Sequence, residues 1–373
     1  MSLKLFHTAD IHLGSKFNYL GEKASEQRKQ LEKSFEGIVE NAIKEDSKVF
    51  LIAGDLFDSP FPAIETVNFA KLQINKLIEA GIFTGIIAGN HDFLALNSVY
   101  NSGILSKISD THFHIFDKST PEIWELPELN AVMAGASLDH PKNSIDLSNI
   151  NKLVEPFKDQ IMIGLFHGSI DIVRFNKYNL LNLEKLKAVI FDYVALGDWH
   201  SPLEISKNPA INYCGSPEML ALDQTNSGKF LVIDIDKKNK VSVVIQTSGK
   251  RFSKQISIDI ELIKTPDVLL NKIKELANKD CVLEVLVTGF IKLGSNINFE
   301  SLQESLANDF FALRIKDQTK VLLDEKTLAQ YPQEMLIGKF ISTLAKKGKE
   351  EDLEPEIVNK AMQVGVSLLG ESI

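Results

Sequence analysis

Through the first 245 residues, short apolar runs alternate with stretches of helical period. Leu3 to His7, Val49 to Ala53 and Ile82 to Ala88 read as strands, and so do Ala131 to Ala136, Ile161 to Phe166, Tyr193 to Leu196, Phe230 to Ile235 and Val241 to Ile245. Between them, Leu31, Phe35, Ile38, Val39, Ala42 and Ile43 follow a helical spacing. Ile64 to Ala80 repeats that pattern and stops at Gly81, a residue suited to the left-handed turn that ends a helix. The alternation predicts a layered α/β architecture, and the β-rich later part predicts a second sheet packed on the first.

A boundary is expected near Thr247-Ser248-Gly249-Lys250. Beyond it come an apolar-rich run from Ile256 to Leu262, a helix near Val268 to Ala277, a strand from Val282 to Phe290, a helix at Phe299 to Leu306 and a strand at Phe310 to Ile315. This pattern predicts a small α+β module. Two amphipathic helices are expected after Pro332, at Met335 to Lys347 and Pro355 to Leu369, with the charged stretch Lys346 to Glu356 as a solvated loop between them. The expected division is 1–248, 249–330 and 331–373.

Five polar motifs each follow a strand run: Asp10-Ile11-His12, Gly54-Asp55, Gly89-Asn90-His91-Asp92, His167-Gly168 and Gly197-Asp198-Trp199-His200. Ligands of open α/β sheets bind at the carboxyl ends of strands, so five such motifs can converge on one point. A lone Asp-x-His is weak evidence, and a lone Gly-Asp usually marks a turn. Three polar residues straight after Ile86-Ile87-Ala88, however, have no packing reason to cluster. Carboxylate, imidazole and amide oxygen together suit Mn²⁺, Fe²⁺, Zn²⁺ or Mg²⁺. Two such ions about 3.5–4 Å apart can clamp a phosphoryl group for in-line attack. One carboxylate must then bridge them, and Asp55 is the expected bridge. The other histidines have plainer readings: His7 as a core residue of the first strand, His112 and His114 on a short strand or loop, and His140 in a turn.

Composition narrows the class. A chain of 373 residues with 44% hydrophobic and 24% charged residues is that of a globular protein of two or three domains. No apolar run reaches the roughly 18 residues a membrane helix needs. The N-terminus runs straight into a strand with no signal peptide, and two cysteines make no disulfide framework, so a cytoplasmic, reducing compartment is expected. The formal charge of −9 argues against a strongly basic nucleic-acid surface, although a carboxylate-rich metal site is counted there without its cations.

The order of the five motifs resembles the calcineurin-like metallophosphoesterase superfamily. Within it, Asp10-Ile11-His12-Leu13-Gly14, Gly54-Asp55-Leu56-Phe57-Asp58, Gly89-Asn90-His91-Asp92 and Tyr213-Cys214-Gly215-Ser216-Pro217-Glu218 resemble the SbcD-type DNA repair exonucleases. The resemblance implies a β-sandwich flanked by helices, then a small capping domain, then helices that bind a partner. It implies that Asp10, His12, Asp55 and His200 hold one ion, and that Asp55, Asn90, His167 and Asp198 hold the other. It implies that His91 is the catalytic histidine and that Asp92 orients it. Where the family has Gly-His-x-His, this chain has Gly197-Asp198-Trp199-His200, so an aspartate stands in for a ligand histidine. A further carboxylate favours harder cations.

The leading expectation is therefore a two-metal, Mn²⁺-preferring hydrolase of phosphodiester bonds: a DNA exo- or endonuclease of DNA repair, dimeric like its relatives, working with a coiled-coil ABC-type ATPase. The alternative is a phosphodiesterase for a small molecule such as a cyclic nucleotide or sugar nucleotide. A third class is a scaffold in which Asp198 has cost the activity. The apolar stripe Met335, Ile337, Phe340, Ile341 and Leu344, with Ile357, Met362 and Val366, either packs on the capping domain or binds the partner.

Overall fold

The computed structural model describes residues 2–105, 108, 111–170, 178–236, 238, 240–292, 297–322 and 331–370. The chain divides into two compact units at Phe252/Ser253.

The first unit is a sandwich of two six-stranded mixed sheets with helices on its outer faces, the architecture expected from the alternation. Its strands are Leu3–Thr8 (β1), Val49–Ala53 (β2), Phe83–Ile87 (β3), Phe113–Phe116 (β4), Glu122–Leu126 (β5), Ala131–Gly135 (β6) and Ile161–His167 (β7). Two two-residue strands pair in parallel, Ser169–Ile170 (β8) and Leu180–Leu181 (β9). Tyr193–Gly197 (β10), Leu203–Lys207 (β11), Ala210–Tyr213 (β12), Lys229–Ile235 (β13) and Val241–Thr247 (β14) complete the set. One sheet runs β14-β13-β1-β2-β3-β4 and the other β11-β12-β10-β7-β6-β5. Within them, β1 to β4 are mutually parallel, as are β6, β7, β10 and β12. Their inner faces share one core, in which Leu5, Leu51, Ala53 and Ile87 meet Met133, Leu165, Tyr193 and Ala195.

Two helices link the first three strands, Ala24–Lys44 (α1) and Ile64–Glu79 (α2). Leu31, Phe35, Ile38, Val39 and Ala42 of α1 are buried, whereas Ile43 is 37% exposed, off the stripe. Gly81 adopts φ 72°, and the Gly81 and Ile82 amides donate to Ile78 and Leu77 (2.8 and 3.0 Å), the paired bonds of a glycine-terminated helix. The apolar pattern does not predict β4, β5, β11 and β12. Three of them are half-exposed edge or near-edge strands of four or five residues, too short for a strong period.

In the second unit, Phe252–Asp259 (β15), Asn278–Thr288 (β16) and Phe310–Asp317 (β18) form a three-stranded sheet, and Phe290–Lys292 (β17) pairs with Lys320–Leu322 (β19). The helices are Pro266–Lys274, Phe299–Leu306, Leu336–Glu350 and Pro355–Gly370, which follow the first unit's short helices Ile150–Val154 and Leu183–Lys187 in chain order. The expected boundary at 330/331 adjoins residues 323–330, which lie outside the described set. Ile337, Ile341, Val358, Met362 and Val366 are buried in the same core as Leu283, Val285 and Phe310, so the final helices pack into the unit that the α+β module begins. The charged stretch after Lys346 is helical as far as Glu350 rather than a loop, with Lys346 and Glu350 paired one turn apart at 3.7 Å.

Candidate metal centre

The motifs that follow β1, β2, β3, β7 and β10 emerge at the carboxyl ends of neighbouring strands. Beyond β1 and β2 the two chains stay in parallel register. The Asp10 amide donates to the Gly54 carbonyl (3.2 Å), the His12 amide to Asp55 (2.9 Å) and the Leu13 amide to Leu56 (2.9 Å). This ladder sets Asp10 and His12 beside Asp55. Asp10, His12 and Asp55 each adopt φ of 51–52°, and Asp198 adopts 100°. Such backbone costs on the order of 1–3 kcal/mol per non-glycine residue and concentrates at functional sites. Two glycines permit close approach. A Cβ on Gly89 would overlap the Asp55 carboxylate, and one on Gly197 would overlap the Ala53 carbonyl.

Asp55 lies between two histidines. Its Oδ2 is 3.5 Å from His12 Nε2 and 3.5 Å from His167 Nε2, while Oδ1 accepts the His91 amide at 2.8 Å. His167 Nδ1 donates to the Ala53 carbonyl (2.8 Å), which turns Nε2 toward Asn90 Oδ1 at 2.7 Å and Asp198 Oδ1 at 3.8 Å. His200 lies across from His12 with ring centres 5.3 Å apart, and its Nδ1 meets the Gln224 amide nitrogen. Potential ligand atoms of Asp10, His12 and His200 lie within 4.8 Å of one another, as do those of Asp10, Asp55 and His167. All seven expected ligands are thus brought together.

The electrostatics call for cations. Asp10 and Asp55 are buried, the Asp198 side chain is 9% exposed, and no lysine or arginine pairs with them among the described residues. Burial raises the Asp10 carboxyl to about 6. For His167, burial disfavours the charge, but Asp55, Asp10 and Asp198 outweigh it and raise the imidazole to about 9. For Asp55, burial is outweighed by His167, His12 and His91, and its carboxyl stays low. Burial, then the neighbouring His12, push His200 down to about 4, leaving it neutral. His12 Nε2 is buried with no hydrogen-bond partner. Three carboxylates, one amide oxygen and three imidazoles around that orphaned nitrogen fit two divalent cations, which would neutralise buried charge that is otherwise expensive.

One expected role is corrected. Asp92 does not orient His91. Its carboxylate turns back under its own loop and accepts from the Gly89 amide (2.7 Å), the Phe57 amide (3.1 Å) and the Tyr100 hydroxyl (2.7 Å). It ties the loop after β3 to the loop after β2. Adjacent residues of a tight turn point to different sides, and the carboxylate beside His91 is Asp58, at 3.8 Å, which also holds His12 Nδ1 at 3.0 Å. Asp58 falls within a motif of the sequence, but nothing in the sequence assigns it this part. Ser169, Asn179 and Gln224, which touch Asp198 and His200, carry no motif signal.

The other histidines stand apart from this cluster. His7 is buried in β1, shares a 2.8 Å hydrogen bond with the Tyr193 hydroxyl, and is held neutral at about 3 by burial. His114 stacks on Trp124, and His140 is exposed.

The calcineurin-like phosphoesterase family model matches residues 3–245. The chain belongs to this family. As a metal-dependent phosphoesterase it has relatives of known description. The SbcD component of the nuclease SbcCD from Staphylococcus epidermidis is 26% identical over 268 residues, covering 63% of this chain and 66% of that protein. The DNA double-strand break repair protein Mre11 of Methanococcus maripaludis is 24% identical over 379 residues, covering 94% of this phosphoesterase and 96% of the relative. The solved calcineurin-like phosphoesterase YfkN of Bacillus subtilis aligns with a TM-score of 0.42 at 14% identity, over 66% of this chain and 91% of that one. Among the described residues, no helix of the phosphoesterase is long and apolar enough to cross a membrane.

Proposed function

We propose that this phosphoesterase is a Mn²⁺-dependent DNA nuclease of DNA repair, cytoplasmic and dimeric, that works with a coiled-coil ABC-type ATPase. The placement of Asp55 Oδ2 midway between His12 Nε2 and His167 Nε2 carries the two-metal reading. Support for DNA as substrate comes from the relatives, since the alignment with the archaeal repair protein runs through both units.

Asp10, His12, Asp55 and His200 would hold one ion, and Asp55, Asn90, His167 and Asp198 the other. When bound, the ions supply Lewis-acid activation of the phosphoryl group and of the attacking water. His91, 45% exposed beside this cluster, is free to meet a substrate and protonate the leaving oxygen. Asp58 holds His12 directly and lies within reach of the His91 ring. Asp92 keeps the loop that carries Asn90 and His91 in place.

The test is hydrolysis of end-labelled linear DNA, a chromogenic diester and a cyclic nucleotide in Mn²⁺. Cleavage of DNA and of the chromogenic diester is expected. Turnover of the cyclic nucleotide with DNA left intact would contradict the nuclease reading and favour a small-molecule enzyme.

The last helix has two apolar faces. Val358, Met362 and Val366 enter the core, while Ile357 and Val364 are 60% and 50% exposed. Both alternatives for these helices therefore have residues to serve them, and the outward face is assigned to the ATPase. Replacing Ile357 and Val364 together by Asp should leave folding and hydrolysis of the chromogenic diester unchanged and abolish co-elution with the ATPase. Undiminished co-elution would reassign the docking surface.

A further inference from the structure

Asp198 stands where the resembled family carries histidine, and its surroundings are built around a carboxylate. β10 ends at Gly197, and the Asp198 amide turns onto Asp10, donating to Oδ1 at 3.0 Å and Oδ2 at 3.2 Å. The side chain is 9% exposed. Its Oδ2 accepts the Ser169 hydroxyl. Its Oδ1 accepts the Asn179 amide at 3.4 Å and faces His167 Nε2 at 3.8 Å.

The two residues that hold the carboxylate are themselves held. The Ser169 amide donates to the Asn179 carbonyl at 2.8 Å, within the β8–β9 pairing. The Tyr213 hydroxyl donates to the Gly168 carbonyl (2.6 Å) and accepts the Ile170 amide (3.0 Å), which pins the residues on either side of Ser169. A Cβ at position 168 would lie 2.6 Å from the Asn179 carbonyl oxygen, so the close approach requires glycine there. Asn179 is 1% exposed with φ 58°.

A histidine ligand offers one nitrogen and is oriented by its other ring atom. A carboxylate offers two oxygens, and a free one can chelate an ion through both. Ser169 occupies Oδ2 and the Asn179 amide approaches Oδ1, which together fix the torsion and leave Oδ1 as the oxygen turned toward His167. We infer that Ser169 and Asn179 are positioning residues that make Asp198 a one-oxygen ligand of the second metal ion, so that this site favours small six-coordinate cations over calcium. Calcium takes six to eight oxygens at about 2.3–2.6 Å, often with bidentate carboxylates, whereas small ions such as Mg²⁺ demand compact octahedral geometry.

This inference rests on the two-metal reading above. Calorimetric titration of the metal-free full chain with Mn²⁺, and separately with Ca²⁺, tests it without relying on activity. In Ser169→Ala the second Mn²⁺ should bind about 10–100-fold more weakly, the usual effect of losing a residue that orients a ligand. Its first Mn²⁺ and its melting temperature should not change, and Ca²⁺ should bind as well as or better than in wild type. Ser169→Thr, which keeps the hydroxyl, should retain wild-type values. If Ser169→Ala does not fold, Asn179→Gly serves instead, because glycine accepts the left-handed backbone and removes the side chain that carries the amide. Folded variants with wild-type Mn²⁺ affinity, or with equal losses for Mn²⁺ and Ca²⁺, overturn the inference, since simple loosening would affect both ions alike. Wild-type protein that takes up a single ion contradicts the two-metal reading itself, which is a different failure.

Discussion

His91→Ala should lower the turnover number for DNA by about 10²–10⁴-fold, the range attributed to a general acid, while both metal ions stay bound. His91 is exposed and lies outside the set that surrounds His167 Nε2. Position 91 meets the centre through its backbone amide, which donates to Asp55 Oδ1 and which alanine keeps, and through its ring, which lies edge-on to His12 at 4.4 Å between centres and 3.8 Å from Asp58. Loss should therefore appear in turnover rather than in KM or in metal content. A diester with a better leaving group should lose less, because its oxygen needs no proton to depart. Retained turnover on DNA as well as on the chromogenic diester would remove His91 from the chemistry. Loss of an ion in the variant would instead make it a ligand.

Asp55→Asn should have the largest effect on the metals. The substitution preserves size and leaves an oxygen to accept the His91 amide, so the fold should persist. It removes the one negative charge that both histidine clusters approach at 3.5 Å. Both ions should weaken together, by more than the roughly 10–100-fold typical of losing an outer partner. His12→Ala, by contrast, should weaken one ion and spare the other. Calorimetry on the two variants separates these patterns. An Asp55→Asn protein that loses a single ion would mean that the carboxylate belongs to one site only.

Much of this centre was legible in the sequence because parallel strands buried within the sandwich are near-continuous apolar runs. The end of such a run is visible, and so is a polar cluster that follows it. Gly89-Asn90-His91-Asp92 after β3 and Asp10-Ile11-His12 after β1 are of this kind. What stayed hidden depends on contacts distant in sequence. Ser169 and Asn179 bear on Asp198 from 29 and 19 residues away, and Gln224 on His200 from 24. None of them carries a local pattern. The direction of the Asp92 carboxylate was illegible for a related reason, since neighbours in sequence are poor guides to neighbours in a tight turn. The last helix shows the limit of periodicity from the other side. Its apolar residues cover two faces, and only the fold tells which of them the core takes.

On the proposed reading, one buried carboxylate, Asp55, is shared by two divalent ions. The most direct measurement is the metal content of the folded wild-type chain, by elemental analysis after equilibration with Mn²⁺ and by calorimetric titration of the metal-free protein. Two ions per chain are expected, with the two sites resolved or strongly coupled. Saturation at one ion, or at none, in protein shown to be folded would contradict it.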